Sequence, residues 1–170
     1  MTTESVVPEV LHAWAVCLQA SEEARRRGDR RTGTEHLLLA LLEHRSVEIM
    51  LGVSLQQARQ ALDSLDHEAL GTLGLGSGAD APPLPMRAVP KKPRIRDVAR
   101  TDRLRMTPAA KKVLEEASKP NRRRLQLTAQ QVLGQILILQ PPDPAAVLLG
   151  ALGVDTSEVR HRLDAVTPDC

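Results

Sequence analysis

The sequence predicts an all-α protein assembled by duplicating one unit. Its apolar residues are almost entirely Leu, Val and Ala, with one Trp and neither Phe nor Tyr, so helix formers dominate and strand-favouring aromatics are missing. An internal repeat is the second observation: Gly52-Val53 with Arg59, Leu62 and Asp63 returns as Gly153-Val154 with Arg160, Leu163 and Asp164, at a constant offset of 101 residues. Upstream the copies align at an offset of 95, where Thr34-Glu35-His36-Leu37-Leu38 meets Ala129-Gln130-Gln131-Val132-Leu133. The extra residues of the second copy fall in Gln140-Pro141-Pro142-Asp143-Pro144, where proline favours a helix boundary. No segment alternates with period two for a strand's length, which predicts no paired sheet and helix over at least nine tenths of the chain outside residues 71–105.

Helix one is predicted to begin after Ser5, with Pro8 in its first turn, and to run to Gly28, burying Val7, Leu11, Trp14 and Leu18 on one stripe. Helix two starts near Thr34 and is apolar all round through Leu37-Leu38-Leu39-Ala40-Leu41-Leu42, as expected of a helix central to a core. A short helical turn around Val47 to Leu51 leads to Gly52. Helix four opens with Ser54 as N-cap and Gln57 closing a capping box, and buries Leu55, Ala58, Leu62 and Leu65. In the second copy Asp155 caps, Glu158 closes the box, and Thr156, Val159, Leu163 and Val166 take the same stripe. That copy starts at Thr107-Pro108, a cap followed by Pro at the first helical position, and its first helix is cut short by Pro120.

These elements divide the chain into a first repeat over 1–70, a linker over 71–105 and a degenerate second repeat over 106–170. The linker is rich in Gly and then in Pro, and its composition predicts a mobile segment. Its second half, Arg87 to Arg105, carries eight Lys/Arg against two Asp, so the basic balance belongs there and the rest of the chain is net acidic. Lys91, Lys92, Arg94 and Arg96 are therefore candidate contacts for nucleic acid or an acidic protein, and a nucleic-acid-associated regulator is the alternative function. The shortage of aromatics argues against stacking on single strands. Two cysteines, Cys17 in a helix and Cys170 at the end, give no disulfide framework; no secretory leader or membrane-length apolar run is present, and a cytoplasmic protein is expected.

The stretches Ala20-Ser-Glu-Glu-Ala-Arg-Arg-Arg-Gly28, Thr32-Gly33-Thr34-Glu35-His36 through Leu42, and Leu51-Gly52-Val53 resemble the N-terminal repeat domain of the Clp ATPases, of the Clp C type. The resemblance is strong over 10–66 and weak, though in register, over 107–166. It implies two four-helix repeats packed as a pseudo-twofold pair. It also implies a non-catalytic module that binds proteins, acting as an accessory to a Clp ATPase/protease or as a decoy for ligands of the ATPase's own N-domain. The family's Glu in the Thr-Glu-His string recognises phosphorylated arginine, which makes Thr34 and Glu35 the candidate ligand-binding residues. A carboxylate accepts from a guanidinium in two-pronged fashion, and amide hydrogens at a helix start attract phosphate. The competing reading of Glu35 is simple complementation of the helix dipole.

Departures from the family pattern limit the function. There is no Gly-x4-Gly-Lys-Ser/Thr loop to cradle phosphates, so an unfoldase is not expected from this chain alone. The linker is longer than the family's, the aromatic near the start of each repeat is missing, and Gln130 replaces the second Glu, so at most one phosphoarginine site per chain is expected. His36 beside Glu35 is not a metal pair, because adjacent helical residues diverge by about 100 degrees. No His-Glu-x2-His string, nucleophile–base pair or cofactor motif is present, and neither catalysis nor a cofactor is predicted. The arginine runs 25–27, 30–31 and 122–124 could bind phosphate or serve as solvated helix ends.

Overall fold

The computed structural model describes residues 10–72, 105–119 and 126–166. In chain order the elements are β1 (Val10–His12), α1 (Ala13–Arg27), β2 (Arg31–Thr32), α2 (Thr34–Leu41), α3 (Arg45–Leu51) and α4 (Leu55–Thr72). The second repeat follows with β3 (Arg105–Met106), α5 (Pro108–Ser118), β4 (Gln126–Thr128), α6 (Ala129–Ile136), α7 (Pro144–Ala151) and α8 (Thr156–Val166). The protein is all-α, and among the described residues each repeat gives four helices.

The duplication is also spatial. α2 packs on α7 while its counterpart α6 packs on α3, and α4 packs on α7 while α8 packs on α3. The two copies thus exchange equivalent contacts about a pseudo-twofold axis. One apolar core runs through both, from Val16, Ala20 and Leu37–Leu42 to Val132, Leu133, Leu148, Leu149 and Leu163. As expected, α2 lies at its centre: Leu37, Leu38, Leu39 and Leu41 are all 0% exposed. The repeated glycines end equivalent helices, Gly52 at φ 70° and Gly153 at φ 67°, a left-handed conformation that an L side chain would strain.

Two expectations are corrected. Helix fills about three quarters of the described residues, short of nine tenths. Paired strands exist as well: β1 runs antiparallel to β4, Val10 opposite Thr128, and β2 runs parallel to β3, Arg31 opposite Arg105. Both pairings join one repeat to the other, and each strand is only two or three residues long. No local period can announce a pairing so short and so distant in sequence. The Val10–His12 strand also displaces the start of helix one from the predicted Ser5 to Ala13. The buried stripe of α1 is consequently Val16, Ala20 and Ala24, whereas Trp14 is 57% exposed.

The caps follow the sequence in three of four places. Ser54 N–H donates to Gln57 Oε1 at 2.8 Å and Gln57 N–H to Ser54 Oγ at 3.3 Å, completing the box. Thr107 Oγ1 accepts from Ala110 N–H at 3.2 Å. Asp155 Oδ1 accepts from the amides of Ser157 and Glu158 at 2.9 and 3.1 Å. Glu158, however, does not close its box, because its carboxylate pairs with Arg162 one turn on. No described helix is long and apolar enough to cross a membrane. Residues 73–104 of the predicted linker over 71–105, including Lys91, Lys92, Arg94 and Arg96, lie outside the described residues, as do Pro120 and Cys170.

Candidate ligand groove

The turn between α1 and α2 is built to present one carboxylate beside several guanidiniums. Gly28 at φ 83° ends α1, and Asp29 N–H donates back to Ala24 O at 2.8 Å, which turns the chain toward Arg30, Arg31 and the start of α2. His36 holds that start: its Nδ1 accepts from Gly33 N–H at 3.0 Å, and its Nε2 lies 2.9 Å from Asp29 Oδ2. The side chain is 1% exposed, so His36 is a structural fastener. Thr34, also 1% exposed, donates its hydroxyl to Asp143 Oδ1 at 2.7 Å. The same Asp143 oxygen caps α7 by accepting from Ala145 N–H at 3.0 Å, so Thr34 ties the first repeat to the second.

Glu35 opens into a groove shared with Arg27, Arg30 and Arg31, closed on the far side by Asp66 of α4 and by Thr107 and Pro144 of the second repeat. Its carboxylate folds back over Gly33, where an added Cβ would stand 2.3 Å from both oxygens; only glycine allows that approach. Oε1 lies 2.9 Å from His36 Nδ1, while Oε2 is buried without a hydrogen-bond partner. The arginines differ in their freedom. Arg27, with its side chain 9% exposed, is held by Asp29, Asp63 and Asp66. Arg30 and Arg31 are exposed and have no acidic partner among the described residues. The groove therefore offers one acceptor and two uncommitted donors side by side.

The second repeat lacks this charge set. At the offset of 95, Glu35 becomes Gln130, Arg30 becomes Leu125 and Arg31 becomes Gln126. Gln130 is 1% exposed, with neither amide atom hydrogen-bonded. A buried amide without partners costs about 1 to 3 kcal/mol. Gln130→Met, which keeps the volume and removes the amide, is expected to raise stability by about 1 to 2 kcal/mol in urea denaturation. A loss of stability would mean that the amide is satisfied in solution.

Thr34 and Glu35 are thus neighbours with different tasks, one fastening repeats and one facing the groove. The sequence singled out Arg30 and Arg31 as a phosphate-binding run without joining them to Glu35. Their signal was a place five and four residues ahead of Glu35, across Gly33. The contact it missed altogether is Arg59 with Glu23: Glu23 is 4% exposed on α1 and is gripped by Arg59 of the repeated motif and by Arg26 at 3.2 Å. Cys17 is half-buried with its thiol 3.9 Å from Met106 Sδ, consistent with packing. Among the described residues no cluster of His, Cys, Asp and Glu could hold a metal.

A duplicated all-α module with paired helix starts and a charged inter-repeat groove defines the class. Residues 11–130 match the family model of the Clp repeat (R) N-terminal domain, and the chain belongs to that family. The N-terminal domain of ClpD, a caseinolytic protease associated chaperone from Arabidopsis thaliana, has the same fold: 19% identity, TM-score 0.57, 96% of this chain and 97% of that one covered. No curated protein matches the chain in sequence. The Clp N-terminal domain is a non-catalytic module that binds proteins.

Proposed function

We propose that this protein is a cytoplasmic accessory or decoy of a Clp ATPase/protease system and that it recognises proteins marked by phosphoarginine. The observation that carries the reading is Glu35, with one oxygen unpartnered, in the same groove as the uncommitted Arg30 and Arg31. A phosphoarginine side chain has the matching pattern, a cationic guanidinium joined to an anionic phosphate. Glu35 accepts from the guanidinium, and Arg30 and Arg31 take the phosphate oxygens in bidentate fashion. Thr34 contributes by fixing the helix start through Asp143. The charge set occurs once, so one ligand per chain is expected.

Calorimetric titration with free phosphoarginine tests this. Wild-type protein should saturate at one equivalent. Glu35→Ala should abolish the heat while costing the fold about 0.3 to 1 kcal/mol of helix-dipole interaction. Arg30→Ala with Arg31→Ala should weaken binding at least tenfold, and Gln130→Ala should leave it unchanged. No saturable heat at millimolar ligand would overturn the reading and leave Glu35 as a helix-start residue.

A further inference from the structure

The pseudo-twofold relation makes two interhelical grooves equivalent, α8 against α3 and α4 against α7, yet they are filled differently. In the first, Arg162 of α8 reaches across and donates through Nη1 to the Met50 carbonyl, in the last turn of α3, at 3.4 Å. At the offset of 101, Arg162 corresponds to Ala61 and Met50 to Ala151. The second groove therefore has no bridging side chain. It stays open, lined by Ala61, Ser64, Leu65 and Glu68 of α4 and by Val147 and Ala151 of α7. Val147 is 37% exposed on its wall.

The chemistry of this opening matches one kind of occupant. Ala151 ends α7, where the helix dipole is negative, and the turn's own amides go to the carbonyls of Leu148, Leu149 and Gly150. Glu68 is exposed on the other wall with no cationic partner among the described residues. Between these two acceptors, Leu65 and Val147 give an apolar track suited to an aliphatic stem. The other repeat already shows what fits such a groove, an arginine side chain with its guanidinium at the helix end.

We infer that the open groove between α4 and α7 is a docking site for an unmodified arginine side chain presented by a partner polypeptide. Its guanidinium pairs with Glu68 and the carboxyl end of α7, in the place that Arg162 fills for the second repeat. This site is separate from the groove around Glu35 and needs no phosphate.

The test is a titration of the full chain, followed by amide chemical shifts, with the blocked peptide acetyl-Ala-Ala-Arg-Ala-Ala-amide and its citrulline counterpart. The arginine peptide should give saturable shifts centred on Ala61, Ser64, Glu68 and Ala151, and the neutral citrulline peptide should give none. Ala61→Arg, which supplies the missing side chain from within, should abolish the shifts, and Glu68→Gln, at an exposed position that leaves the fold intact, should weaken binding at least fivefold. Glu35→Ala should titrate like wild type, which keeps this site distinct from the phosphoarginine reading. Shifts centred on Arg30, Arg31 and Glu35, shifts equal for both peptides, or a Glu68→Gln protein that binds as wild type would each overturn the inference.

Discussion

Leu38→Ala is expected to lower the unfolding free energy by about 3 to 5 kcal/mol, the range of buried leucine truncations that cannot collapse. Leu38 is 0% exposed on α2, the helix that packs against α1, α4, α5, α6 and α7. Its neighbours Leu37, Leu39 and Leu41 are equally buried, so helices anchored on several sides surround the cavity and cannot close in from one. Against a typical total of about 5 to 15 kcal/mol, such a loss takes a large share. Urea denaturation should show a lower midpoint with an unchanged slope. A loss under about 1 kcal/mol would mean that α2 is less central than its burial indicates.

That centrality was legible because an all-apolar helix has few places to go. Leu37-Leu38-Leu39-Ala40-Leu41-Leu42 has no polar face to offer water, and burial on every side follows from the residues alone. The return of Gly52 as Gly153 was legible from the constant offset, and the structure adds that both are left-handed helix ends. What resisted reading was whatever depends on distant partners. Trp14 was placed on the buried stripe of α1, yet α1 packs on α2 and buries Ala20 and Ala24, while the large side chain is turned outward. Small buried residues give a faint hydrophobic signal even where the packing is tightest. The cross-repeat strands left no local trace, and neither did the role of Thr34, whose partner Asp143 lies in the insertion that distinguishes the second copy. Glu35 was found through a family motif; its neighbours Arg30 and Arg31 were joined to it only by the groove that the extended segment before Gly33 lines with the start of α2.

Arg59→Ala is expected to cost about 3 kcal/mol at neutral pH, because it strips the main partner from a carboxylate that is 4% exposed. The Glu23 carboxyl feels opposing influences: burial pushes its pKa up, while the hydrogen bonds and charges of Arg59 and then Arg26 pull it down, and the net result is below the ordinary value. A depressed carboxylate contributes stability above its unfolded pKa and loses that contribution as pH falls through the folded pKa. Removing Arg59 leaves burial opposed by Arg26 alone, so the carboxyl pKa should rise, the variant should lose less stability on acidification than wild type, and the gap between the two should narrow in acid. Glu43 complicates a single profile, because burial, with the nearby charge of Glu23, raises its pKa and makes the folded state bind a proton more readily. Its contribution therefore rises as pH falls, opposite in sign to that of Glu23. A double-mutant cycle of Glu23→Gln and Arg59→Ala, followed by urea denaturation at neutral and acid pH, separates the two. Glu23→Gln should recover most of the loss in the Arg59→Ala background, since a neutral amide has no charge left to bury. Additive losses at neutral pH would show that the two side chains do not interact. A coupling that disappears in acid is the expected result, and it would give Arg59 a task of its own in the first copy, the grip on a buried carboxylate of α1.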